Sequence, residues 1–151
     1  MWVLEPEVRD NINNDHRNEK FLSGIDLPHS IKATNDIEAS LKDSELVLVA
    51  VPTPFLRDVV CSKNKFLPVG VPLVCCAKGI ENSSLLTPHE ILTEELPGKF
   101  HRNLAVISGP SFAKEVATRR VTSVLCAARH LDVAEHVQSV MSDESFRIST
   151  G

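Results

Sequence analysis

The run Leu46-Val47-Leu48-Val49-Ala50-Val51 constrains this chain more than any other feature. Six apolar residues, three of them valine, are too few for a buried helix. They suit a strand covered on both faces, as in a parallel sheet. Comparable runs recur at 71–77, 104–107 and 122–128. Between them the apolar spacing changes to a helical period. Helices are predicted over 55–61, from the Thr87-Pro88 start to Glu95, over 112–118 and over 131–141, the last with Val133, Val137 and Val140 toward the core. A short strand is predicted at 146–148. Strands alternating with helices give an α/β layered sheet joined by right-handed crossovers.

The first third is more polar. Residues 1–4 form the tail of a strand that ends at Glu5-Pro6, and a helix is predicted over 7–18 from Val8 and Ile12. Gly24 and Pro28 mark 21–28 as loop, and 31–34 as a short strand. Asp36 caps a helix carrying Ile37 and Leu41.

Composition excludes several classes. Sixteen Lys+Arg against twenty Asp+Glu argue against a broad basic surface for nucleic acid. No apolar run is long enough to span a bilayer, and no secretory leader is visible. Cys61, Cys75, Cys76 and Cys126 form no C-x-x-C pair. Cys75 and Cys76 point to opposite sides of a strand, so they are expected as small buried hydrophobes of a reduced compartment. The six histidines are dispersed, without metal-ligand spacing.

Ligands of such sheets bind at the carboxyl ends of the strands. Three of those ends carry distinctive chemistry. Pro52-Thr53-Pro54-Phe55 follows the first run; Phe55 either plugs the core or offers a flat face to a ring. Lys78-Gly79 follows the second, and a cation there must reach solvent, an acid or an anionic ligand. Ser108-Gly109-Pro110-Ser111 follows the third. Ser111 is expected to cap the next helix, whose start would seat a phosphate with Lys78 beside it.

Four strings in order, Met1-Trp2-Val3-Leu4-Glu5-Pro6, Val49-Ala50-Val51-Pro52-Thr53-Pro54-Phe55, Ala77-Lys78-Gly79-Ile80-Glu81 and Ile107-Ser108-Gly109-Pro110-Ser111-Phe112-Ala113-Lys114-Glu115-Val116, resemble the N-terminal domain of NAD(P)-dependent glycerol-3-phosphate dehydrogenases. The resemblance covers nearly the whole chain. It implies a Rossmann-like, doubly wound, mainly parallel sheet, and hydride transfer between a nicotinamide and the dihydroxyacetone phosphate/glycerol 3-phosphate pair. Lys78 matches a lysine contacting cofactor and substrate. Gly109 and Ser111 match substrate positions; Ala113, Phe55 and Leu4 match cofactor positions. Glu5 falls where an acid binds ribose hydroxyls and repels a 2′-phosphate, which favours NAD over NADP.

The sequence holds no G-x-G-x-x-G turn. Residues 1–151 are therefore expected to be a partial dinucleotide-binding domain, incomplete at the N-terminus, with two exposed sheet edges, an unfilled core slot and no activity in isolation. The family's general acid/base lysine is expected in a further helical domain. A cytosolic enzyme, homodimeric at full length, is expected. The competing expectations are another dehydrogenase of the 6-phosphogluconate or ketopantoate type and a non-catalytic α/β binding module.

Overall fold

The computed structural model describes all 151 residues. Its elements, in order, are α1 (Pro6–Asp15), β1 (Arg17–Asn18), β2 (Leu22–Asp26), α2 (Ile37–Leu41), β3 (Val47–Val49), α3 (Thr53–Lys63), β4 (Leu73–Cys75), α4 (Pro88–Glu95), β5 (Leu104–Ser108), α5 (Ala113–Ala117), β6 (Thr122–Ala128), α6 (Leu131–Met141) and β7 (Phe146–Thr150). Two 3-10 turns, Asn64–Phe66 and Gly98–Asn103, lead toward β4 and β5.

Strands β3 to β7 form one sheet in sequence order. Pairs β3/β4, β4/β5 and β6/β7 are parallel, and β5/β6 is antiparallel. The reversal has a geometric cause. Helix α5 has only five residues, a rise of about 7 Å at helical pitch, whereas five-residue β5 extends about 17 Å. That helix does not carry the chain back along the strand, and β6 starts on the rim where β5 ends.

Strand alternation distributes the core. Leu73 and Cys75 face one layer with Val47, Leu56, Val60, Ile91, Leu92 and Phe100, under α3 and α4. Val74 faces the other, with Ala105, Ile107, Val124, Cys126, Val133, Val137 and Ile148, under α6. Helices therefore cover both faces, as the sequence predicts. Cys75 and Cys76 do point apart, Cys76 packing on the α6 side. A smaller cluster of Val3, Val8, Ile12 and Ala33 seats α1.

Several expectations need correction. Residues 21–28 are not all loop: β2 pairs antiparallel with β1, and Arg17 bonds Asp26 at 2.7 Å. Backbone pairing across a polar hairpin leaves no apolar pattern to read, and Gly24, at φ +74°, serves the hairpin rather than ending it. The 31–34 strand shrinks to one parallel bridge between Trp2 and Thr34. Pro52 and Pro54 do not delay α3: Pro52 is its N-cap and Pro54 lies in its first turn, where no N–H is needed. Strand β3 is an edge strand, so Leu48 is half exposed rather than covered on both sides. On α6 the buried stripe is Val133, Ala134 and Val137, with Met141 partly buried beside it, and Val140 lies exposed on its margin.

Candidate functional site

Because β3, β4 and β5 run parallel, their carboxyl ends share one rim. The three loops singled out in the sequence meet there. Lys78 Nζ donates a hydrogen bond to the Gly109 carbonyl at 2.7 Å, tying the end of β4 to the end of β5. The Ser111 hydroxyl donates to the same carbonyl at 3.3 Å. Thr53, nearly fully buried at the start of α3, donates its hydroxyl to the Lys78 carbonyl at 2.7 Å. The ends of β3, β4 and β5 are thus linked by side chains.

Gly109 is required by its surroundings. Its φ is +146°, and an added Cβ would lie 3.0 Å from the Val124 Cα and 3.1 Å from the Ser123 carbonyl on β6. At Gly79, φ +101°, an added Cβ would meet only the Thr53 Oγ1 at 3.9 Å, an ordinary contact, so glycine is required there by backbone conformation alone.

Ser111 does not cap α5, contrary to the sequence expectation. The N-cap is Phe112, without a side-chain cap bond, and the Ser111 hydroxyl turns back to Gly109. A five-residue helix also contributes little aligned dipole, so the anion seat expected at its start is not formed by that helix. Ala113 is its first residue and is exposed.

Phe55 does not plug the core. It is 63% exposed in the first turn of α3, above the rim. Leu4 is 71% exposed and lines an open groove of about 300 Å3 with Trp2, Asn35 and the α3 residues Asp58, Val59, Ser62 and Lys63. Phe55 sits one turn before Val59, so Leu4 and Phe55 border the same side of α3. Glu5 is the N-cap of α1, and its carboxylate lies 3.3 Å from Lys20 Nζ, which also bonds Glu7 at 2.8 Å.

Sequence reasoning missed Thr53 and Arg57. The motif around Thr53 points to Phe55, and nothing local marks the threonine itself. Arg57 pairs with Glu81, 24 residues away, and no local spacing announces such a contact. No group of three His, Cys, Asp or Glu side chains is placed to hold a metal ion.

A mainly parallel sheet, covered by helices on both faces, with a lysine, an aromatic ring and a glycine-serine loop on its carboxyl rim, defines the doubly wound dinucleotide-binding class. Comparison narrows the class. Residues 1–134 match the family described as NAD-dependent glycerol-3-phosphate dehydrogenase N-terminus, and the chain belongs to that family. It is 45% identical over 151 residues to glycerol-3-phosphate dehydrogenase [NAD(P)+] of Myxococcus xanthus, covering 99% of this chain and 45% of that protein. It is 42% identical to the enzyme of the same name from Anaeromyxobacter sp., covering 97% of the chain and 44% of the relative. The crystal structure of glycerol-3-phosphate dehydrogenase from Coxiella burnetii superposes with a TM-score of 0.85 at 26% identity, over 99% of this chain and 45% of that one. The chain thus spans less than half the length of these relatives.

Proposed function

We propose that residues 1–151 are the cofactor-binding part of an oxidoreductase that interconverts dihydroxyacetone phosphate and sn-glycerol 3-phosphate with NAD(H). The observation that carries this reading is the Lys78–Gly109 contact on the carboxyl rim, in a chain of this family.

The residues suit part of a nicotinamide dinucleotide. Phe55 offers an exposed ring beside the rim, and Gly109 keeps the backbone free of a Cβ. Ala113 is the next backbone contact, and Leu4 with Glu5 would face the ribose end. Glu5 disfavours a 2′-phosphate, which supports NAD over NADP, although Lys20 partly offsets its charge. No glycine-rich turn lies within the chain, so the pyrophosphate is assigned to none of its residues.

When bound, the nicotinamide supplies or accepts the hydride. The work of this chain is placement and field. An ammonium has three N–H donors. The Gly109 carbonyl takes one from Lys78, and two remain for the substrate oxygen and the cofactor. A donor held at that position stabilises negative charge developing on the carbonyl oxygen as hydride arrives at carbon. Ser111 and Gly109 line the substrate side. The proton donor that completes the alcohol is assigned to no residue of this chain.

The test is oxidation of NADH by dihydroxyacetone phosphate, followed by absorbance, on the polypeptide expressed at the full length of its natural transcript. Turnover with dihydroxyacetone phosphate and none with ketopantoate is expected; the reverse preference would overturn the reading. The 151-residue chain alone is expected to show no turnover. No helix is long and apolar enough to cross a membrane. Cytosolic placement is part of this proposal and is tested by fractionation. Sedimentation of the full-length polypeptide tests for the homodimer.

A further inference from the structure

Lys78 is exposed and is followed by a glycine at positive φ. A loop of that kind swings freely unless something holds it. Helix α3 holds it at two points. Thr53 accepts the loop into the core by donating to the Lys78 carbonyl. One helical turn later, Arg57 grips Glu81 at the far end of the Lys78-Gly79-Ile80-Glu81 string. Its Nε donates to both carboxylate oxygens at 3.1 and 3.2 Å, and Nη2 donates to Oε2 at 2.9 Å. Thr53 and Arg57 are i and i+4, so they lie on one face of α3. Glu81 is only 11% exposed, and the Ser84 hydroxyl also donates to it. The loop closes on itself through Leu85 N–H to the Glu81 carbonyl at 2.8 Å and Glu81 N–H to the Leu86 carbonyl at 2.9 Å.

Arg57 also meets Glu94, at 2.9 Å, and Glu95 on α4. One guanidinium thus faces three carboxylates. A planar fork suits this; a single ammonium does not. Two roles are distinguishable on this geometry. The Glu94 and Glu95 contacts staple α3 to α4. The Glu81 contact reaches a different target, the loop that presents Lys78.

We propose that Arg57, acting through Glu81 together with Thr53, is a positioning residue that fixes Lys78 against Gly109. Helix α3 then carries both Phe55, at the proposed cofactor face, and the clamp that sets the lysine. The two groups are registered to one rigid element, rather than to separate loops. This inference rests on the reading of the rim as the substrate site, and its test has an arm independent of that reading.

The test compares wild type, Arg57→Lys, Glu81→Gln and Glu94→Gln in the full-length polypeptide, each checked for folding by circular dichroism. Arg57→Lys keeps the charge and loses the fork. Glu81→Gln is nearly isosteric, and it decides the matter if Arg57→Lys fails to fold. Amide exchange across residues 78–81 is expected to quicken about tenfold in both, through easier local opening. In both, kcat for dihydroxyacetone phosphate is expected to fall about tenfold while KM for the cofactor stays within about twofold, because misplacement of a charge-stabilising donor acts on the transition state. Glu94→Gln touches only the helix staple and is expected to match wild type in both measurements.

Wild-type exchange at 78–81 in Glu81→Gln overturns the clamp. So does faster exchange with unchanged kcat, since Lys78 would then not depend on it. If wild type turns over no dihydroxyacetone phosphate, the functional reading falls, and the exchange arm still decides the clamp.

Discussion

The Lys78 amine and the Gly109 carbonyl, 31 residues apart in sequence, lie 2.7 Å apart on the rim of the sheet. This contact joins two strand ends through an exposed side chain whose removal exposes no core. Lys78→Ala is therefore expected to fold normally. It is expected to lower dihydroxyacetone phosphate turnover by about 100-fold or more, the scale of losing one preorganised donor to a developing oxyanion. Steady-state kinetics on the full-length polypeptide check this. Wild-type kinetics would remove Lys78 from the site.

Gly109 tests the rim from the side of the backbone. Gly109→Ala places a methyl 3.0 Å from the Val124 backbone at a φ that side chains rarely adopt. The expected loss is about 1–3 kcal/mol, from forced shifts in β6. Gly98→Ala, with nothing within 4 Å and no positive φ, is expected to stay within about 0.5 kcal/mol of wild type. Urea unfolding of both variants measures the contrast.

Leu56 anchors α3 beneath Phe55 and is fully buried in the layer shared with α4. Leu56→Ala is expected to destabilise the fold by about 2–5 kcal/mol, the transfer loss plus a residual cavity. Leu85→Ala, at a site 75% exposed, is expected to be nearly neutral. Thermal or urea denaturation distinguishes them.

Asp143 gives the fold an acid-side dependence. Its carboxylate accepts the Ser145 hydroxyl at 2.8 Å and the backbone N–H groups of Ser145 and Phe146 at 2.7 Å, with Arg119 beside it at 3.2 Å. These donors, the Ser145 hydroxyl first, hold its pKa at about 2, below the ordinary 3.8. A depressed carboxyl contributes stability above its unfolded value and loses it as pH falls through the folded one. The stability advantage of wild type over Asp143→Asn is thus expected to shrink as pH drops from 3.8 toward 2. Urea midpoints across that window read it.

The cysteines are expected to react in two classes. Cys61 is exposed, whereas Cys75 and Cys126 are fully buried, and burial pushes the Cys76 thiol up to about 11. One thiol is expected to take up alkylating reagent in the native chain and four in denaturant, counted by mass spectrometry. Cys61 itself is held above its usual value, chiefly by its hydrogen bond to the Glu95 carboxylate, so its labelling is expected to accelerate with rising pH.

The layered α/β plan was legible in the residue order, because continuous apolar runs and helical spacing are local properties of the chain. That order also placed Lys78-Gly79 and Ser108 to Ser111 at strand ends, since a run closing on a lysine and a glycine announces where burial stops. The Thr87-Pro88 start of α4 was equally legible, and the structure adds the reciprocal bond from Glu90. Other features were decided only by tertiary structure. The reversal of β6, the 17–26 hairpin and the single Trp2–Thr34 bridge depend on which backbone groups pair across space. The turn of Ser111 away from α5, the exposure of Phe55 and the Arg57–Glu81 grip depend on the register between elements far apart in sequence. Burial is written residue by residue along a chain, whereas a hydrogen bond between distant residues exists only once both are fixed in the same frame.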